Sequence, residues 1–127
     1  MPVFLLLPMP ALLVGCDQAA EYRAVLHDQI AALQATEQIL ASITDAPTME
    51  AAKVRLEAEQ AWFEEIKERG LALPPPSQAV LASLKTEAAG LQDALGRVHS
   101  QVRRVEKLSG GARFLQEMDK STGFVRD

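Results

Sequence analysis

The sequence predicts an all-α fold: an antiparallel three-helix bundle with coiled-coil-like packing and a short fourth helix at the C-terminal end. Three observations predict it. Hydrophobic residues are 48% of the chain and aromatics only 5%, and much of the apolar share is Ala and Leu, which lose little on entering a helix. Apolar residues recur three, four and seven apart over most of the sequence, the period of one helix face. The Pro and Gly clusters that interrupt this period fall at Ala46-Pro47, Pro74-Pro75-Pro76 and Gly110-Gly111, so they mark helix ends. A length of 127 residues suits one domain, and residues 21–120 hold the helical pattern.

The first helix is expected from Glu21. Tyr22, Leu26, Ile30, Leu33, Leu40 and Ile43 line one face, with alanines between them raising helix propensity. It ends at Thr44-Asp45-Ala46-Pro47, because proline cannot continue it and restricts Ala46. The second helix is expected from Thr48, a good N-cap, with Glu50 complementing the helix dipole in the first turn. Its apolar stripe is Ala52, Leu56, Phe63 and Ile66, its exposed face is acidic (Glu57, Glu59, Glu64, Glu65, Glu68), and Gly70 is placed as a C-cap glycine. Pro74-Pro75-Pro76 then favours an extended connection, read as a connector rather than a PxxP ligand.

Ser77 is placed to cap the third helix. Leu81, Leu84, Ala88, Leu91, Leu95, Val98, Val102 and Val105 alternate three and four apart, a seam of nearly four heptads. An unbroken helix of roughly 32 residues would span ~48 Å. Arg103, Arg104 and Lys107 suit its negative end. Ala112 to Lys120 forms the short fourth helix, with Phe114, Leu115 and Met118 on one side, and residues 121–127 form a flexible tail. Val80, Ile39 and Val54 lie outside the stripes and extend the core or meet a partner. Short connections make neighbouring helices antiparallel. That topology places Pro74-Pro75-Pro76 at the end where the first helix begins and Gly110-Gly111 at the opposite tip. It also sets Glu50 and Glu57 near Arg103 or Lys107.

No catalytic constellation assembles, and the chain is expected not to be an enzyme. His27 and His99 are in neither a Glu-x-x-His nor a His-Glu-x-x-His spacing, so a helix-borne metal site has no support. There is no Gly-x-Ser-x-Gly elbow and no glycine-rich phosphate loop. Neither cofactor nor metal is expected. A net charge of −4 gives no basic stripe for nucleic acid. The single cysteine excludes an internal disulfide.

Residues 1–15 carry no charge. This run is short of the ~20 residues needed to span a bilayer, and Pro2, Pro8 and Pro10 weaken a spanning helix further. An apolar run ending in small residues has the form of a secretory signal peptide, although no Lys or Arg precedes Cys16. The run closes on Leu13-Val14-Gly15-Cys16. These four residues resemble the lipobox of bacterial lipoproteins: an aliphatic residue, a small or β-branched one, Gly or Ala, then Cys.

The resemblance implies that residues 1–15 are a cleaved signal peptide. It makes Leu13, Val14 and Gly15 the cleavage motif and Cys16 the lipidated first residue of the mature chain, with residues 16–20 as a lipidated tether. Asp17 resembles the inner-membrane retention signal of some enterobacterial lipoproteins. Two acyl chains anchor stably, since each buried CH₂ contributes ~0.8 kcal/mol. The expected function is a small lipoprotein of the cell envelope, held to the membrane by its lipid anchor. Its helical domain serves as a structural or protein-interaction module with an envelope protein as partner. Two other readings stand beside it. One is a helical module binding an apolar ligand or metal, with a cavity among Phe63, Trp62 and Leu95. The other is a cytoplasmic helical adaptor with an uncleaved leader.

Overall fold

A computed structural model describes the backbone of residues 8–122 and the side chains of residues 18–120. All regular structure among the described residues is helical: α1 (Pro8–Ala41), α2 (Ala46–Ala72), α3 (Gln78–Ser83), α4 (Lys85–Glu106) and α5 (Gly111–Thr122). The all-α expectation therefore holds.

Helix α1 is the central element. It packs against both α2 and α4, whereas α2 and α4 make no backbone contact with each other. Packing on two sides requires a wide buried arc, and α1 supplies it. Leu33 and Leu40, expected in the core, are buried, and so are Val25, Ala32, Thr36 and Ile39; Ile43, also expected there, is buried just past the end of the helix. Thr36 lies in this arc without cost to pairing, because its hydroxyl donates to the Ala32 carbonyl at 2.9 Å. Tyr22, Leu26 and Ile30, at the other end of the stripe, are only half-buried.

Helix α5 bridges α4 and α2. Its Phe114, Leu115 and Met118 are buried in the same core as Leu40, Met49, Leu56, Ala94 and Val105, as the spacing of those three residues predicts. Leu40, Ile43, Ile66 and Val105 are fully covered, each contributing about 1.5–3 kcal/mol of burial. A smaller cluster of Val25, Ala32 and Ile66, with Phe63 and Leu73 against it, joins α1 to α2 toward the other end.

Four local expectations are corrected. The N-cap of α2 is Asp45, three residues before Thr48. Its carboxylate accepts from the Thr48 N–H at 3.0 Å, and the Thr48 hydroxyl accepts from the Asp45 N–H at 2.9 Å. This reciprocal capping box lets Pro47 sit in the first turn, where no N–H is needed. Gly70 does not end α2, which runs on to Ala72 with Leu73 as C-cap. Gly70 instead lies against Val25, whose Cγ1 would meet an added Cβ at 3.4 Å.

The expected third helix is two helices, broken at Leu84, whose backbone leaves the helical region (φ −103, ψ 9). The Ser83 hydroxyl donates back to the Val80 carbonyl at 2.7 Å, a bond that bends helices. The Leu84 N–H tightens onto Leu81 at 3.2 Å. Ser77 does cap α3 through Val80 N–H at 3.2 Å. The break divides the seam: Leu81 is 49% exposed and Ala88 is exposed, while the stretch from Leu91 to Val105 is buried or half-buried. Fourth, Glu50 and Glu57 stay exposed because α2 and α4 are apart. Ion pairs between helices instead include Arg23–Glu87 and Arg69–Asp28. Outside the stripes, Ile39 and Val80 join the core and Val54 is exposed.

Asp45→Ala is expected to cost about 1 kcal/mol, the usual loss of an N-cap side chain. It should appear as a lower urea midpoint at unchanged slope.

Candidate functional site

The features that bear on function gather where α1 passes the α2–α3 connection. Cys16, Gly15, Val14 and Leu13 fall in the first part of α1; their side chains lie outside the described residues, as do residues 1–7 and 123–127 altogether. The expected tether at residues 16–20 is helical backbone continuous with α1. From Gln18 on, α1 is held to the proline connection. Gln18 Nε2 donates to the carbonyls of Pro74 at 3.4 Å and Pro75 at 3.3 Å, and the Tyr22 hydroxyl donates to Pro74. Proline carbonyls are free acceptors here because an extended proline run forms no internal hydrogen bonds.

Beside this contact lies an open, largely apolar groove of about 320 Å³. Tyr22, Val25, Leu26 and Gln29 of α1 line one part of it, and Gly70, Pro76, Leu81, Leu84 and Ala88 line the rest. It exists because α2 and α4 stand apart on α1 and α5 bridges them further along. The lining offers few polar groups and no charged side chain, so its chemistry is that of apolar contact.

One ion pair ties the rim together. Arg23 Nε meets Glu87 Oε1 at 2.8 Å, with the Glu87 side chain 16% exposed, and Arg23 Nη2 reaches the Ser83 carbonyl at 3.5 Å. The Glu87 carboxyl is held below its ordinary value of 4.5, first by its own backbone N–H at the start of α4, then by Arg23, with the charge of His27 adding less. A carboxyl whose pKa is lower folded than unfolded stabilises the fold above the unfolded value. That stabilisation is lost as the pH falls through the folded value. The domain is therefore expected to lose stability below about pH 4.5. Glu87→Gln should flatten that part of a urea-midpoint-against-pH curve and leave the remainder of the profile parallel.

The other sequence-derived candidates are not brought together. Phe63 and Leu95 pack against the main core, while Trp62 is 37% exposed, so the apolar opening lies elsewhere than among those three. His27 and His99 are both exposed. Among the described residues no group of three or more His, Cys, Asp or Glu could hold a metal ion. No described helix is long and apolar enough to cross a membrane. The sequence reading placed Tyr22 in a core stripe and missed its hydroxyl contact. The only signal for it was a polar tip at the first position of the stripe, opposite a proline run.

In comparisons with known proteins, no family model matches the chain, and neither a curated protein nor a solved structure matches it.

Proposed function

We propose that the chain is a small bacterial lipoprotein. Residues 1–15 are its signal peptide, Cys16 is its lipidated N-terminal residue, and its helical domain is a structural or protein-interaction module in the cell envelope. The observation that carries this reading is Leu13-Val14-Gly15-Cys16 at the end of an uncharged apolar run. In this reading the domain is an antiparallel three-helix arrangement built on α1. The seam from Leu91 to Val105 packs in coiled-coil fashion, and α5 closes one side. The bonds from Gln18 and Tyr22 to the proline connection support it, because they keep the anchored end of α1 docked on the domain. Lipidation would then fix the domain's orientation on the membrane.

Cys16→Ala is expected to abolish metabolic lipid labelling and leave an unprocessed chain in bacterial cells. Labelling and mobility equal to the parent would refute the assignment. Crosslinking in the envelope followed by mass spectrometry then identifies the partner.

A second reading, an apolar-ligand module, is favoured by the groove over Leu26 and Leu84. Its test is titration of the full chain with a fluorescent fatty-acid probe. Leu84→Trp, which would fill the groove, should abolish binding if the reading is correct.

A further inference from the structure

Residues 70–84 contain no Asp, Glu, Lys or Arg, in a chain that is 24% charged. Charge returns on either side with Arg69 and Lys85. This uncharged run is the end of α2, the proline connection and α3. It does not owe its lack of charge to burial. Leu71 is 76% exposed and Leu81 49%, and Pro74 and Pro75 are exposed. Residues 1–16 form a second uncharged run, and α1 leads from it directly to this place, where Gln18 and Tyr22 bond to Pro74 and Pro75.

We propose that this end of the domain is a membrane-contact surface. In it Leu71 and Leu81, flanked by Pro74 and Pro75, rest in the interfacial layer of the bilayer. The inference rests on the anchor reading above and adds what the domain itself does at the membrane.

Three observations select a lipid surface as the occupant. The run itself carries no charge for a partner to pair with, and of the charges that flank it Arg69 is already paired with Asp28. Proline has no N–H to donate, and the Pro74 and Pro75 carbonyls already accept from α1, so the exposed part is chiefly apolar. Finally, the chain leaves no slack. Cys16 precedes Gln18 by two residues of continuous helix, about 3 Å of axial rise. An acylated Cys16 would therefore hold Pro74 and Pro75, through Gln18 and Tyr22, close to the lipid, where exposed apolar side chains of the same run can enter the interfacial layer to about 5–10 Å.

The test uses the full acylated chain in vesicles of phosphatidylcholine and phosphatidylglycerol. An environment-sensitive maleimide fluorophore is attached at Leu71→Cys or, at the opposite end, at Ser109→Cys. The sequence has a single cysteine, so with Cys16 acylated the introduced thiol takes the label. Mass spectrometry of the same preparation reads the state of Cys16. The expected result is a several-fold rise in emission at position 71, quenched by shallow nitroxide lipids, with neither effect at position 109. Water-like emission at both positions on an acylated chain overturns the contact surface and leaves the anchor standing. An unmodified Cys16 overturns the anchor and this inference with it.

Discussion

Gly111→Ala is expected to destabilise the domain by about 3 kcal/mol, the upper part of the range for forcing a group into occupied space. A Cβ on Gly111 would lie 1.7 Å from the Val105 carbonyl oxygen and 2.8 Å from its carbon. Both atoms are backbone at the end of α4, so no rotamer change relieves the clash. The start of α5 must move away, and Phe114, Leu115 and Met118 leave the core with it. Faster amide exchange across α5 and adjoining α2, with a lower urea midpoint, would check this. Gly110→Ala is the informative contrast. Gly110 has φ 77 and nothing within 4 Å of an added Cβ, so its cost is the left-handed backbone alone, roughly 1–2 kcal/mol. Equal midpoints for the two variants would contradict the packing described for α5.

Arg104→Ala is expected to cost about 2–3 kcal/mol. Its guanidinium donates to the Leu40 carbonyl at 2.7 Å and to the Ile43 carbonyl at 2.9 Å, while Nε is steadied by Gln101 at 2.8 Å. Leu40 is in the last turn of α1 and Ile43 just beyond its end, where a cation is favoured; the Leu40 carbonyl also accepts from the Ile43 N–H at 3.1 Å. Hydrogen bonds to a charged group contribute about 1.5–3 kcal/mol each, and partial re-solvation of the carbonyls in the variant keeps the loss below the sum. Arg104→Lys should recover only part, because an ammonium is a point donor and cannot span two carbonyls as the planar fork does. Arg103→Ala, at an exposed neighbour, should fall within about 0.5 kcal/mol of the parent. Urea midpoints of the three variants check the order.

The residues behind these two effects show what a sequence can and cannot reveal here. The 3.6-residue period marked Phe114, Leu115 and Met118 as one face, and they are buried, because a short surface helix has one direction in which to bury its apolar side. For α1 the same reasoning found one stripe where two exist, since nothing in the period says that a helix will be packed on both flanks. The seam of α4 continues through Leu84 without a missed position, so periodicity could not reveal the break. That break arises from a serine back-bond and from tertiary burial of Leu84. Arg104 reads as a dipole complement to its own helix, whereas its partners lie 61 and 64 residues away, at the end of α1 and just past it. Gly110 and Gly111 read together as a stop, yet one is required by its backbone angle and the other by the closeness of Val105. Of the candidate site, Leu13-Val14-Gly15-Cys16 is legible because its residues are contiguous. The groove is not, because it depends on α2 and α4 failing to meet.

The charge-free run at residues 70–84 would give the proposed anchor a structural consequence. A cysteine joined to its domain by a flexible segment would leave the domain free to tumble. In the proposed arrangement, continuous helix, the bonded prolines and the exposed Leu71 and Leu81 would set which end faces the lipid and direct the α4–α5 turn away from it. A partner would then approach at that turn or along the flanks of α2 and α4.

The intact mass of the full chain, expressed in bacteria and purified from their membranes, tests the central claim most directly. The account predicts a polypeptide that begins at Cys16 and carries a diacylglyceryl group, with further acylation at its amino terminus adding one more chain. A species that retains residues 1–15 with an unmodified Cys16 would contradict it.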